Sequence, residues 1–352
     1  MRLVLEKRDN KSQSMAIIVP VASFIISLVL GAIVLAVSNA NPLAAYKAMV
    51  TGAFGNMRRL QYTLVEAMPL LMCGLGVGIA FRLKFWNIGA EGQYVWGAIG
   101  ITWVMQFWTF IPTPMLLPIG LVVGMLLGAI WAGIPGFLKA QWSVDETLTT
   151  LMLNYVAIGL AEYLYISKWK APLGNMGTPE FLPQTWLPQI WGKVHWGVYI
   201  ALSLVVLLWF LLYKTRWGFE LNMIGKNPRA ARCQGVSIKR NIILAMLLSG
   251  AICGLSGSMN TAAIAHRLTK GVNANYGFTG IIIAWMANLN PFASILVAIV
   301  MAALTTGADA LQITLKLPEA MGEVLQGLVL IPLLAGSIFT EYRLRAIHKE
   351  AI

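Results

Sequence analysis

Four carboxylates, Glu66, Glu91, Asp309 and Glu323, stand inside long apolar stretches of this 352-residue chain. An acid in hydrocarbon costs about 3 kcal/mol or more unless it faces a partner or a wet cavity, so each marks a polar route or a structural contact. Such a group can relay protons, accept a hydrogen bond from a substrate hydroxyl, or hold a helix start. Other chemistry finds little to work with. His195, His266 and His348 are scattered, and Cys73, Cys233 and Cys253 show neither metal-ligand spacing nor a pairing framework. No nucleophile stands beside a base in the apolar stretches, and no Gly-x-x-x-x-Gly-Lys-Ser/Thr loop is present to cradle phosphates. The expectation is a chain without catalytic residues, without a metal and without a cofactor of its own.

Glu91 lies in FWNIGAEGQYVWGAIG, Phe85 to Gly100. Asn87-Ile88-Gly89 offers a capping residue and a flexible break, after which Ala90-Glu91-Gly92-Gln93 opens a helix. Glu91 then sits in the first turn, where backbone N–H groups and the positive dipole end stabilise a carboxylate. Gly89, Ala90 and Gly92 allow a second backbone to approach closely. This pattern favours a structural pin at a helix start near the cytoplasmic face over direct substrate contact. Glu323, a few residues past Pro318, suits the first turn of the last span, and Asp309 falls near the outer end of its own. Glu66, Asn154, Asn260 and Asn288 are candidates for a translocation path. Ser256, Ser258 and Thr279 serve equally well as hydrogen bonds between helices.

The elements that must position these groups are membrane helices. Hydrophobic residues make up 58% of the chain and charged residues 11%, against roughly 25% charged in an ordinary soluble domain. The run Met15 to Val37 is uncharged and about 34 Å long as a helix, enough to span the core, and too long for the apolar part of a cleaved signal. Further apolar runs fall near 60–81, 87–110, 115–138, 146–166, 196–213, 241–265, 276–289, 292–312 and 320–340. The expected fold class is an all-α integral membrane protein of about ten transmembrane helices in a single domain, 1–352, with one short or broken helix. Asn290-Pro291 reads as either a tight turn or a break. With both termini cytoplasmic, 17 of the 26 Lys and Arg residues fall on inner segments, which supports that orientation. The formal net charge of +12 then needs no nucleic acid to explain it. Trp103, Trp108, Trp186, Trp191 and Trp196 suit an interfacial aromatic belt, and the Pro- and Trp-rich outer loop 167–195 is long enough to contact an external partner.

CGLGVGIAFR (73–82) and CGLSGSMNTAAIAHR (253–267) both run from Cys-Gly-Leu through small residues to an arginine, on spans of opposite direction. That is the pattern of an inverted repeat, which would place a substrate route at its interface, or of chance similarity between Gly- and Ala-rich helices. The cytoplasmic loop 214–240 contains a second signal. Asn227 is a good N-cap, Pro228 suits the first helical position, Arg229-Ala230-Ala231-Arg232-Cys233-Gln234 makes about two turns, and Gly235 can end them. A short, basic, capped helix fits docking to another protein, and a loop lying on anionic headgroups is the alternative.

FWNIGAEGQ and WGFELNMIGKNPRAARCQGVSIKR together resemble the two signature regions of permease subunits of bacterial ATP-driven importers, the group that includes ribose, branched-chain amino acid and nucleoside permeases. The similarity is greatest to the nucleoside and simple-sugar subgroup, and this chain has Trp86 where that subgroup has Phe. The resemblance implies a second, related permease subunit, cytoplasmic ATPases that hold ATP-Mg, an external binding protein, and residence in the lipid of a bacterial cytoplasmic (inner) membrane. Residues Asn227 to Gly235 would be the coupling helix seated in an ATPase cleft. A proton-coupled secondary transporter using Glu66 or Glu91 is the alternative, and it leaves the capped helix unexplained.

Overall fold

In the computed structural model the described residues are 2–7, 13–172, 176–272, 275–318 and 320–347. His348, named above, lies outside them. The chain is built from thirteen helices among these residues: α1 (Gln13–Val37), α2 (Pro42–Phe54), α3 (Met57–Arg82), α4 (Ala90–Phe107), α5 (Thr113–Trp142), α6 (Glu146–Tyr163), α7 (Gly197–Lys214), α8 (Arg216–Lys226), α9 (Pro228–Cys233), α10 (Ile238–Asn260), α11 (Tyr276–Met286), α12 (Pro291–Leu315) and α13 (Ala320–Glu341). Short strands β1 (Arg2–Lys7) and β4 (Tyr342–Ile347) pair antiparallel, as do β2 (Gln189–Trp191) and β3 (Val194–His195).

Five helices among the described residues are long and apolar enough to cross a membrane, or six if a bent pair is one span. That pair places a helix between the expected runs Met15 to Val37 and 60–81. Asn41 accepts from the N–H groups of Leu43 and Ala44, Pro42 takes the first helical position, and α2 turns 115° away from the preceding helix. The run expected over 276–289 holds only the 11-residue α11. Asn290-Pro291 is a tight turn, in which the Asn290 side chain accepts from Phe292 N–H and starts α12.

Two compact units are present, Met1–Arg59 with Ala303–Ile352, and Leu60–Ala302. In the first, Leu35, Ala45, Met49, Leu311, Leu317 and Leu325 form a buried cluster, and the Tyr46 hydroxyl donates to the Leu28 carbonyl at 2.6 Å. In the second, α4, α5 and α10 pack backbone to backbone. A Cβ on Gly97 would overlap the Gly254 carbonyl, which is why small residues line these helices.

The two Cys-Gly-Leu segments meet within this second unit. Cys73 Sγ lies 4.0 Å from Ser256 Oγ, and a Cβ on Gly76 would lie 2.8 Å from Cys253 Sγ. Position 73 of one copy thus touches position 256 of the other, and 76 touches 253, the reciprocal contact that a two-fold relation produces. The following helices obey the same relation. Gly74 of α3 abuts Ile283 of α11, and Gly254 of α10 abuts Gly97 of α4. The geometry is that of an inverted repeat in which α3–α4 corresponds to α10–α11.

Candidate functional site

At the centre of this pseudo-symmetric set the starts of α4 and α11 face each other, with Glu91 between them. Glu91 is fully buried in the first turn of α4. Its two carboxylate oxygens accept the backbone N–H groups of Asn275, at 3.1 Å, and Gly277, at 2.6 Å. Both helices direct their positive ends at this charge, which is how a carboxylate is held inside an apolar bundle. Gly277 is required here by close approach, because any side chain would collide with the backbone of Glu91. The acid therefore caps a helix that begins 185 residues after it in the sequence.

The non-helical segment before α4 is satisfied by side chains from elsewhere in the unit, as buried backbone must be. Asn154 of α6 accepts from Gly92 N–H at 2.8 Å and donates to the Ile88 carbonyl at 2.8 Å, and Thr150 accepts from Ile88 N–H. Asn87, expected as the cap, is not one. Gly89 occupies that position without a side-chain bond, while Asn87 accepts from Gly89 N–H and from the Gln93 amide and donates to Ser249. Asn154, expected along a path, is fully buried in this structural network.

Glu66 and Asn260, both partly exposed, lie together with two tyrosines that sequence reasoning missed. The Tyr276 hydroxyl lies beside Glu66 and Asn260. Asn260 Nδ2 donates to the Tyr94 hydroxyl at 2.6 Å, and the Tyr94 and Tyr276 rings have centroids 5.4 Å apart. The other amide atom, Asn260 Oδ1, is buried without a hydrogen-bond partner among the described residues. Nothing local in the sequence ties Tyr94 or Tyr276 to Glu66. Asn288 is elsewhere in the unit, beside Trp285. Glu323 lies in the first turn of α13, and Asp309 on α12.

Helix α9 stands at the surface. The Asn227 side chain accepts from Arg229 and Ala230 N–H at 3.0 and 3.2 Å, and Pro228 is the first helical residue. The helix ends where Val236 N–H returns to the Ala231 carbonyl and Gly235 takes φ +76°, a left-handed conformation suited to glycine. Ala231 is fully buried, while Arg229 and Arg232 are exposed. The segment 178–187 runs along 262–268, with Thr178 N–H on the Leu268 carbonyl and Phe181 N–H on that of His266. His195 closes this region. Its Nδ1 accepts from Gly197 N–H, and burial pushes its pKa down to about 4, so the ring is neutral.

The arrangement consists of a pinned pair of helix starts, a polar patch beside them and an exposed capped helix. Residues 59–334 match the family model described as branched-chain amino acid transport system / permease component. The chain belongs to this permease family. It is similar to the glucose ABC transporter permease protein of Haloferax volcanii, 32% identical over 97% of this chain and 93% of that protein. It also resembles the guanosine ABC transporter permease protein of Bacillus subtilis, 30% identical over 90% and 92%. A nucleoside ABC transporter permease protein of Lactococcus lactis is 27% identical over 86% of each chain. The permease is a multi-pass membrane protein.

Proposed function

We propose that this permease is the transmembrane subunit of an ATP-binding-cassette importer and forms the path for a nucleoside or a simple sugar. The observation that carries the reading is similarity over nearly the full length to glucose and guanosine permeases, in a chain that presents an exposed, capped, basic helix. A second, related permease subunit completes the path, and two cytoplasmic ATPases hold ATP-Mg. The α9 segment, Asn227 to Gly235, seats in an ATPase cleft with Arg229 and Arg232 facing the partner. A binding protein delivers substrate from outside, against the 178–195 region. The permease resides in a bacterial cytoplasmic membrane with both termini inside, and performs no covalent chemistry.

Closure of the ATPases around ATP favours one orientation of α9, and with it one of two packings of the permease pair, a population shift driven by differential affinity. Substrates of the two relatives' kinds share a hydroxylated ring. Glu66, the free Asn260 oxygen and the two tyrosine hydroxyls supply acceptors and donors suited to such a ring. Glu91 is committed to two backbone N–H groups, which argues against its use as a proton relay.

The test is ATPase activity of the complex, assembled with its partner subunits in proteoliposomes, with nucleosides and sugars presented by the binding protein. Stimulation by one class, with uptake, is the expected result. Uptake driven by a proton gradient with no ATPase associated would overturn the reading.

A further inference from the structure

The C-terminal ends of α3 and α11 converge on a cleft of about 290 Å³ lined by Phe81, Lys84, Trp86, Trp285, Asn288 and Leu289. Trp86 and Trp285 stack with centroids 5.7 Å apart and planes 30° apart, and Phe81 lies 5.3 Å from Trp86 and 6.1 Å from Trp285. Trp86 is 44% exposed and Trp285 41%, so part of each indole is open. Both helices end here in the same way. Phe85 N–H returns to the Ala80 carbonyl and Leu289 N–H to that of Ala284, with left-handed residues between or beside them. Such an end favours glycine, yet the chain holds Lys84, Asn288 and Leu289 at φ 57°, 49° and 58°. Left-handed backbone at lysine and leucine costs about 1–2 kcal/mol per residue, and strain of this kind gathers at binding sites.

We propose that this cleft binds the planar base of a nucleoside at a second station on the path, separate from the Glu66–Asn260 patch, an inference that rests on the importer reading above and narrows its substrate. Indole faces stack on any base, and base–aromatic stacking is worth about 1–3 kcal/mol per base. The Asn288 amide offers one donor edge and one acceptor, the complement of a base edge. Lys84 donates to a base carbonyl and repels the cationic ligands that aromatic cages otherwise hold. The volume is at the low end of the roughly 300–1,000 Å³ of small-molecule sites, which suits one small ligand.

The cleft is also tied to α9. Arg82 donates to the Leu289 carbonyl at 2.8 Å and to Asn222 Oδ1 of α8 at 3.3 Å, with its guanidinium 4.7 Å above the Tyr213 ring. Helix α8 leads directly into α9 through Asn227. A shift of α9 therefore reaches the wall of the cleft through one buried arginine.

The experiment photolabels the assembled complex with 8-azidoguanosine in proteoliposomes and maps the labelled peptides. Label is expected on the segments around Trp86 and Trp285, displaced by excess guanosine and not by glucose. Combining Trp86→Leu with Trp285→Leu should lower guanosine uptake about tenfold, and the corresponding Phe pair should recover it, because a ring face is restored. Label elsewhere, label indifferent to guanosine, or undiminished uptake by the Leu pair overturns the assignment and leaves the rings as an interfacial belt against lipid. Uptake of glucose alone by the wild-type complex overturns the base assignment only. A wild-type complex that imports neither guanosine nor glucose overturns the importer reading itself.

Discussion

Helices α9 and α11 both begin with a side chain accepting two backbone N–H groups, and they obtain that cap in opposite ways. Asn227 caps α9 from the adjoining residue, in water, with both bonded N–H groups two and three residues on. Glu91 caps α11 from a different helix, in a fully buried site. The first arrangement is a property of a short peptide and leaves a surface helix whose arginines are free to meet a partner. The second exists only when α4 and α11 are brought start to start, and it fixes the two halves of the repeat against each other. On the importer reading, one cap prepares a moving handle and the other holds the frame that the handle would move.

The strongest way to break this contrast is Gly277→Ala. Its new methyl group would overlap the Glu91 backbone, so folded, membrane-inserted protein is expected to be lost almost completely, as read by monodisperse yield in detergent. Normal yield would mean that the two helix starts separate freely. Next comes Glu91→Ala, which leaves the buried Gly277 N–H unsatisfied at about 1–3 kcal/mol and removes the acceptor of the part-buried Asn275 N–H. Thermal unfolding in detergent should shift down by several degrees, and Glu91→Gln, which keeps an acceptor, should fall between it and the wild type. Glu91→Gln should also lower yield more than it alters substrate preference; altered preference at normal yield would make Glu91 a substrate contact.

At α9 the expected order reverses, with function affected and fold spared. Reversing charge at Arg229 and Arg232 should leave yield unchanged and weaken co-purification with the ATPases by about tenfold or more, since charge across such a surface selects partners. Undiminished association would remove the handle from the comparison. The smallest effect belongs to Asn227→Ala, about 1 kcal/mol of local helix stability. It should appear as faster protease cleavage near Arg229 without a change in global melting.

The same contrast explains what could be read along the chain. The start and stop of α9 were legible, because Asn227, Pro228 and Gly235 each act on near neighbours along the chain. The opening of α4 at Ala90 was legible for the same reason, though not the role of Asn87, whose partner Ser249 lies 162 residues away. The weak repeat at Cys73 and Cys253 hinted at the two-fold, and its reciprocal contacts became visible only in space. Helix α2 is not legible, because its apolar turn follows a full-length span and reads as part of a connection. Tyr94, Tyr276, Trp285 and Arg82 carried no local signal that would gather them into sites.

By itself the sequence determined the membrane class, through 58% hydrophobic residues and acids too few to be casual, and determined the short capped helix through hydrogen bonds between near neighbours. Only the tertiary structure decided which N–H groups Glu91 holds, which residues surround Asn260, and that Trp86 meets Trp285. The physical reason is reach. Capping and hydropathy act within a turn or along one helix, whereas the position of a side chain on an apolar helix is fixed by the small residues of the helices packed against it.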